Sequence, residues 1–104
     1  MIVTFELSTK NYVNDRLAIK MALSHMETLV GSINGYTLSE PHERFGWTFF
    51  NLDIKQDLQD GIEKKFSDML EKYSVKTKLE KFTNFMTDYF ANKGCNVKIK
   101  PVGV

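Results

Sequence analysis

The sequence predicts an α+β domain built as a two-layer sandwich, with helices on one face of a mixed sheet. Three observations support this prediction. Segments with alternating apolar residues begin and end the chain, segments with helical spacing lie between them, and turn residues mark the junctions. The predicted order is β-α-β-β-α-α-β, which fits a ferredoxin-like plan if the two later helices together fill one helical position. That plan puts the last strand beside the first, and the first beside the third.

A change of period separates the first strand from the first helix. Residues 2–7 alternate between the two faces of a strand, which predicts that the strand is half-buried. Residues 11–30 then predict a helix, capped by Asn11 or Asn14 and ended by Gly31. We expect the apolar residues of this helix to form one broad buried stripe: Val13, Leu17, Ala18, Met21, Ala22, Met26, Leu29 and Val30.

The middle of the chain predicts two strands joined by a loop. The turn dipeptide Asn34-Gly35 precedes a short strand at residues 36–39. We expect residues 40–44 to be the connecting loop, because Pro41 has no N–H to donate to a strand ladder. An aromatic strand follows at residues 44–53.

Two helices and a final strand complete the predicted order. Residues 55–73 predict a helix that begins after Asp53 as its cap, with Gly61 as a point of irregularity inside it. Thr77 begins a capping box and predicts the start of the next helix. Residues 96–102 alternate again and predict the last strand.

The aromatic strand is the most informative segment, because both of its faces carry large side chains. The face predicted to meet the helices carries Thr48, Phe50, Leu52 and Ile54. Trp47 and Phe49 lie on the other face, to which the last strand adds Lys98 and Lys100. Three alternatives stay open for Trp47 and Phe49: burial within the protomer, a protein interface, or stacking with unpaired bases.

Residues 43–50 are similar to the aromatic octapeptide of RNA-recognition-motif domains. The positions that match are Phe45, Gly46, Trp47 and Phe50. The positions that depart from the pattern are Glu43, Arg44 and Thr48. The resemblance implies stacking of single-stranded RNA on the sheet, but it covers only these eight residues and does not assign the chain to that family.

Length and charge narrow the possible functions. The 104 residues predict one domain over positions 1–104, and 42% hydrophobic residues are typical of a globular protein. Fourteen basic and 13 acidic residues give a formal charge of +1, which disfavours a strongly basic duplex-DNA binder and an acidic DNA mimic. Only Arg16 and Arg44 are arginines, so bidentate readout of duplex bases is disfavoured as well.

The single cysteine, Cys95, excludes an intramolecular disulfide and is typical of a reducing compartment. The N-terminal segment lacks the features of a signal peptide, and no apolar run reaches the length of about 20 residues that spans a bilayer. We therefore expect a cytoplasmic location without membrane contact. One cysteine and two histidines do not form a zinc pattern, and no cofactor motif is present, so neither a metal nor a cofactor is expected.

These observations predict a protein that acts by binding. The leading hypothesis is protein–protein contact, in a homodimer or as a regulator or inhibitor of a larger protein. This includes an inhibitor encoded by a phage or mobile element and directed at a host or defence enzyme. The predicted contact residues are Arg44, Phe45, Trp47, Phe49, Lys98 and Lys100. The alternative is a single-stranded RNA- or DNA-binding domain that uses the same aromatic face. A third hypothesis is a small enzyme that uses His42 or Cys95.

Overall fold

A computed structural model describes residues 2–102 as an open antiparallel sheet with helices on one face, which confirms the predicted α+β sandwich. The strands are β1 (Ile2–Thr9), β2 (Tyr36–Leu38), β3 (His42–Arg44), β4 (Trp47–Lys55) and β5 (Lys98–Pro101). The helices are α1 (Tyr12–Val30), α2 (Gln56–Lys65), α3 (Ser67–Glu71) and α4 (Lys78–Asn92). None of these helices is long and apolar enough to cross a bilayer.

The strand order is β2-β4-β1-β5, and β3 pairs with β4 on the same edge as β2. The last strand therefore lies beside the first, and the first beside the aromatic strand, as the ferredoxin-like plan predicts. The prediction of a mixed sheet is wrong, because every strand pair is antiparallel. In this plan each helical connection joins two parallel strands that are not neighbours. The strand that lies between them runs in the opposite direction, so every neighbouring pair is antiparallel.

The prediction of a loop at residues 40–44 is also wrong. Residues 42–44 form β3, which makes a tight hairpin with β4. The two turn residues, Phe45 and Gly46, have φ values of 54° and 80°, and both lie in the left-handed region that a type I′ turn requires. A phenylalanine at the first of these positions is rare, so composition does not predict the turn.

The long helix predicted for residues 55–73 is divided into α2 and α3. The division falls at Phe66, where φ is −111° and ψ is 27°, and the Phe66 ring packs against Phe85 at a centroid distance of 5.1 Å. Asp53 does not cap this helix. It lies in β4, where its carboxylate accepts a hydrogen bond of 2.6 Å from the Thr4 hydroxyl of β1.

Two other local features of the helices have clear causes. The Thr77 hydroxyl accepts a hydrogen bond of 3.1 Å from the backbone N–H of Glu80, which confirms the capping box at the start of α4. Gly61 lies inside α2 where α1 passes closely, and a Cβ at this position would come within 2.9 Å of the Val30 Cβ. Glycine is required there by helix packing, and α2 continues through it without a break.

The core lies between the sheet and the helices. Its sheet side consists of Phe5, Leu7, Phe50, Leu52 and Ile54, all of them buried, as the alternation predicts. From the helices it takes Ile19, Ala22, Leu23, Met26, Leu58, Ile62, Leu70, Phe82, Phe85, Met86 and Phe90.

The buried stripe predicted for α1 is only partly right. Val13, Leu17 and Met21 are 77%, 60% and 66% exposed, whereas Ile19 and Met26 are buried. Positions 13, 17 and 21 span about 80° around the helix, on the side opposite the buried row. A helix that covers one face of a sheet buries one side, so apolar residues on its far side are left in solvent.

Candidate binding face

We call the sheet face that carries no helices the open face. Antiparallel register aligns its side chains in rows across β5, β1, β4 and β3. In one row Ser8 of β1 lies between Lys98 and Phe49, and Phe49 is paired with His42. The β3–β4 hairpin is at this end of the sheet, where the aromatic residues are concentrated.

Two rings of β4 lie among cationic side chains at the hairpin end. The ammonium groups of Lys10 and Lys98 are 4.9 and 4.8 Å from the Trp47 ring centroid. The Arg44 guanidinium carbon is 4.7 Å from the Phe49 ring centroid. The His42 ring stacks on Phe49 at 5.8 Å, with 19° between the ring planes. We call this group the aromatic–cation cluster; its members are Lys10, His42, Arg44, Trp47, Phe49 and Lys98.

The cations of the cluster are not neutralised within the described chain. Between residues 2 and 102 the one ion pair within 4.0 Å joins Lys81 to Glu71, in the helix layer. Lys10, Arg44 and Lys98 therefore keep their charge available for an anionic ligand.

Acidic residues of the open face lie farther from the hairpin. Glu6 is paired across the sheet with Lys100 on one side and with Asn51 on the other. Asp53 lies two residues beyond Asn51, where its carboxylate accepts the hydrogen bond from the Thr4 hydroxyl. The open face thus changes from cationic to mixed charge along β4, and Lys100 lies at the boundary.

Phe45 at the tip of the hairpin combines high exposure with a strained backbone. Its side chain is 96% exposed, and its φ of 54° lies in the left-handed region that L-residues other than asparagine and aspartate rarely adopt. An exposed aromatic residue gains no folding energy that would offset this strain. Strain held at one residue in this way suggests a function for its side chain.

Phe45→Asn should raise the free energy of unfolding by up to about 1 kcal/mol, because Asn-Gly is the preferred dipeptide of a type I′ turn. Urea denaturation would measure the change. Phe45→Val is the matched control; it should destabilise the domain, because a β-branched residue tolerates positive φ poorly. A lower stability for Phe45→Asn would show that the ring, and not the turn geometry, supports the fold.

The structure places five of the six predicted contact residues at the hairpin end of the open face. Trp47, Phe49 and Lys98 lie in the aromatic–cation cluster together with Arg44, and Phe45 forms the adjoining tip. Lys100 is on the same face, at the mixed-charge boundary described above. Trp47 and Phe49 are half-buried and lie outside the core, which disfavours burial within the protomer as their role.

Two members of the cluster were not predicted as contact residues. Lys10 follows the end of β1, and the alternation that puts Ser8 on the open face also puts Lys10 there. Alternation therefore predicts the face on which Lys10 lies, but only the register of β1 against β4 shows that Lys10 is close to Trp47. The loop expected at residues 40–44 includes His42, so the sequence does not predict its place beside Phe49, which requires the pairing of β3 with β4.

The residues proposed for an enzyme are not brought together. Cys95 is buried in the core between the sheet and the helices, whereas His42 stacks on Phe49 of the open face. Burial raises the pKa of the Cys95 thiol, and the nearby Asp15 carboxylate raises it further. A raised pKa disfavours the thiolate, which is the nucleophilic form.

Asp15 is itself a buried structural residue. Its carboxylate accepts hydrogen bonds from the Thr9 hydroxyl and, at 3.4 Å, from the backbone N–H of Asn96. These bonds hold the start of α1 to the end of β1 and to the segment before β5. Within residues 2–102 no three His, Cys, Asp or Glu side chains converge in a way that would hold a metal ion.

Comparisons with protein-family models, with curated proteins and with solved structures find no match. A function can therefore be inferred only from the geometry of the open face.

Proposed function

We propose that the open face binds single-stranded nucleic acid through the aromatic–cation cluster. One observation supports this most directly: Trp47 and Phe49 are on the same side of β4, each with a cationic group within 5 Å of its ring centroid, and no carboxylate among the described residues 2–102 pairs with those cations. Rings supply stacking surfaces for bases, and unpaired cations supply contacts for phosphates.

The spacing of the rings favours a single strand over a duplex. Residues two apart on a strand are separated by about 7 Å, whereas stacked bases in a duplex are about 3.4 Å apart. Bases that occupy both rings therefore cannot remain stacked on each other. A flexible single strand allows this separation, and a paired duplex does not.

The present positions of the lysines are compatible with a bound base. Lys10 and Lys98 are exposed, and their long side chains can leave the Trp47 ring for a neighbouring phosphate at little cost. Three phosphate contacts, from Lys10, Lys98 and Arg44, would give log K a slope of about −2 against log salt concentration. The buried free thiol of Cys95 fits a reducing compartment, so a cytoplasmic location stays part of this proposal.

A protein partner is the second candidate, and Phe45 favours it. An almost fully exposed aromatic side chain on a tight two-residue turn resembles the anchor residues that dominate protein interfaces. In this form the protein would be a regulator or inhibitor of a larger protein with an acidic surface around an apolar pocket. The same cations would then meet carboxylates in place of phosphates.

Tryptophan fluorescence tests the first candidate directly, because Trp47 is the sole tryptophan. An oligothymidylate should quench the fluorescence to saturation and bind at least about tenfold more tightly than a duplex of equal length, since only the single strand can stack on the rings. The quenching should weaken with salt at the slope given above. If neither nucleic acid changes the fluorescence at low salt, the proposal is wrong and the protein partner is favoured.

A matched pair of lysine variants separates a specific site from general charge attraction. Lys98→Gln should reduce the salt slope by about 0.7 and weaken oligothymidylate binding severalfold. Lys65→Gln removes the same charge from the exposed surface of α2, and it should leave both quantities unchanged. Equal losses in the two variants would count against a site on the open face.

A further inference from the structure

The outer side of α1 carries an apolar stripe that no part of the described chain covers. Val13, Leu17 and Met21 recur every four residues and are 77%, 60% and 66% exposed. Ser24 and Thr28 continue the same side toward the C-terminus and are also exposed. Apolar residues scattered over a surface need no explanation, but a contiguous helical row of them marks an interaction surface.

The stripe is complementary to itself in size. Its N-terminal half carries the large residues Leu17 and Met21, and its C-terminal half carries the small residues Ser24 and Thr28. Two such helices packed antiparallel about a point near Met21 would place Leu17 of each against the small residues of the other, with the two Met21 side chains meeting in the middle. Parallel packing would instead put large residues against large ones and leave space between the small ones.

The charges beside the stripe differ between its two halves in the same way: the N-terminal half carries the basic residues Arg16 and Lys20, and the C-terminal half carries Glu27. Arg16 and Glu27 are eleven residues apart, so they lie within about 20° of each other around the helix and about 16 Å apart along it. Within residues 2–102 neither forms an ion pair, although one oxygen of the Glu27 carboxylate accepts a hydrogen bond of 2.8 Å from the backbone N–H of Gly35. In an antiparallel pair with twofold symmetry the same flank of each helix meets, so Arg16 of each copy would lie beside Glu27 of the other.

We infer that α1 pairs antiparallel with α1 of a second copy of this chain. The two ion pairs place the twofold axis between positions 21 and 22, which brings the two Met21 side chains together. Leu17 of each copy then lies level with position 26 of the other, between Ser24 and Thr28. Because α1 covers the face of the sheet opposite the open face, the two aromatic–cation clusters point outward and stay free.

Sedimentation equilibrium tests the association. One helix per copy is a small interface, so we expect a dissociation constant of about 10–100 μM. Met21→Glu places two carboxylates at the twofold axis and should raise this constant at least about tenfold. Met69→Glu is the matched control, because Met69 is 50% exposed on α3, and it should dimerise like the original protein.

The inference is wrong if the original protein stays monomeric at about 500 μM, where a constant in the expected range would give mostly dimer. It is also wrong if Met21→Glu dimerises as strongly as Met69→Glu. Oligothymidylate binding by the folded Met21→Glu variant should be unchanged, so failure of the dimer and failure of the nucleic-acid site are distinguishable.

Cysteine cross-linking tests the orientation and does not depend on the charged variant. Antiparallel pairing brings the two positions 21 together but separates the two positions 13 by about 25 Å along the helices, too far for a disulfide. Mild oxidation should therefore cross-link Met21→Cys and leave Val13→Cys monomeric. Cys95 is buried and should not take part. Cross-linking of both variants, or of neither, would overturn the antiparallel arrangement.

Discussion

Phe50→Ala is expected to lower the free energy of unfolding by about 3–5 kcal/mol, the range for truncation of a buried phenylalanine. Phe50 is 1% exposed and lies opposite Leu7 on the neighbouring strand. Its ring packs edge-on against Tyr12 at the start of α1, with 5.2 Å between ring centroids. Removing the ring would leave a cavity between the sheet and α1 that the surrounding strands cannot close.

Phe49→Ala is the matched control for Phe50→Ala, since it deletes the same side chain one residue earlier on the opposite face. Phe49 is half-buried among exposed side chains, so its loss should cost only about 1–1.5 kcal/mol. Urea denaturation of both variants gives the comparison. A larger effect for Phe49 than for Phe50 would mean that the open face, and not the helix side, holds the fold together.

The sequence predicted well the features that depend on local pattern. Alternation assigned Phe5 and Phe50 to the core and Trp47 to the other face, because a strand has only two sides. The Thr77 capping box identified a helix start from four residues. The order of strands in the sheet followed from the order of elements, because short helical connections permit few arrangements.

Features decided by distant contacts were not predictable in the same way. The pattern of α1 shows apolar residues on two sides, and nothing local distinguishes the row of Ile19 from the row of Leu17. Phe66 has no helix-breaking character of its own; its backbone conformation accompanies packing against Phe85, nineteen residues later. The buried bonds of Asp15 reach a backbone N–H 81 residues away.

The candidate site contains residues that local pattern predicts and residues whose positions depend on distant contacts. The six predicted contact residues needed only alternation or proximity to the aromatic strand, and five of them lie together at the hairpin end. To predict the position of Lys10 requires the register that pairs Ser8 with Phe49, and this register is a property of the whole sheet. To predict the position of His42 requires the β3–β4 turn, whose first residue, Phe45, has a left-handed backbone that phenylalanine rarely adopts. Positions where a sequence departs from local preference are also those where function is expected.

The double variant Trp47→Thr and Phe49→Thr is expected to weaken oligothymidylate binding by more than about 2 kcal/mol, or about 30-fold, since each lost stack contributes about 1–3 kcal/mol. Threonine is chosen because it keeps the preference for a strand. The domain should remain folded by circular dichroism and lose less stability than Phe50→Ala, because both rings lie outside the core. Binding must be followed by anisotropy of a labelled oligonucleotide, since the variant has no tryptophan.

Salt dependence separates stacking from charge in this experiment. The double variant keeps Lys10, Arg44 and Lys98, so its log K should fall at every salt concentration while the slope stays near that of the original protein. Lys98→Gln should show the reverse, a smaller slope with stacking intact. Unchanged affinity in the folded double variant would mean that the rings do not contact bases. Loss of the native spectrum would mean that Trp47 and Phe49 support the sheet, and that the cations of the cluster stabilise those rings and do not serve a ligand.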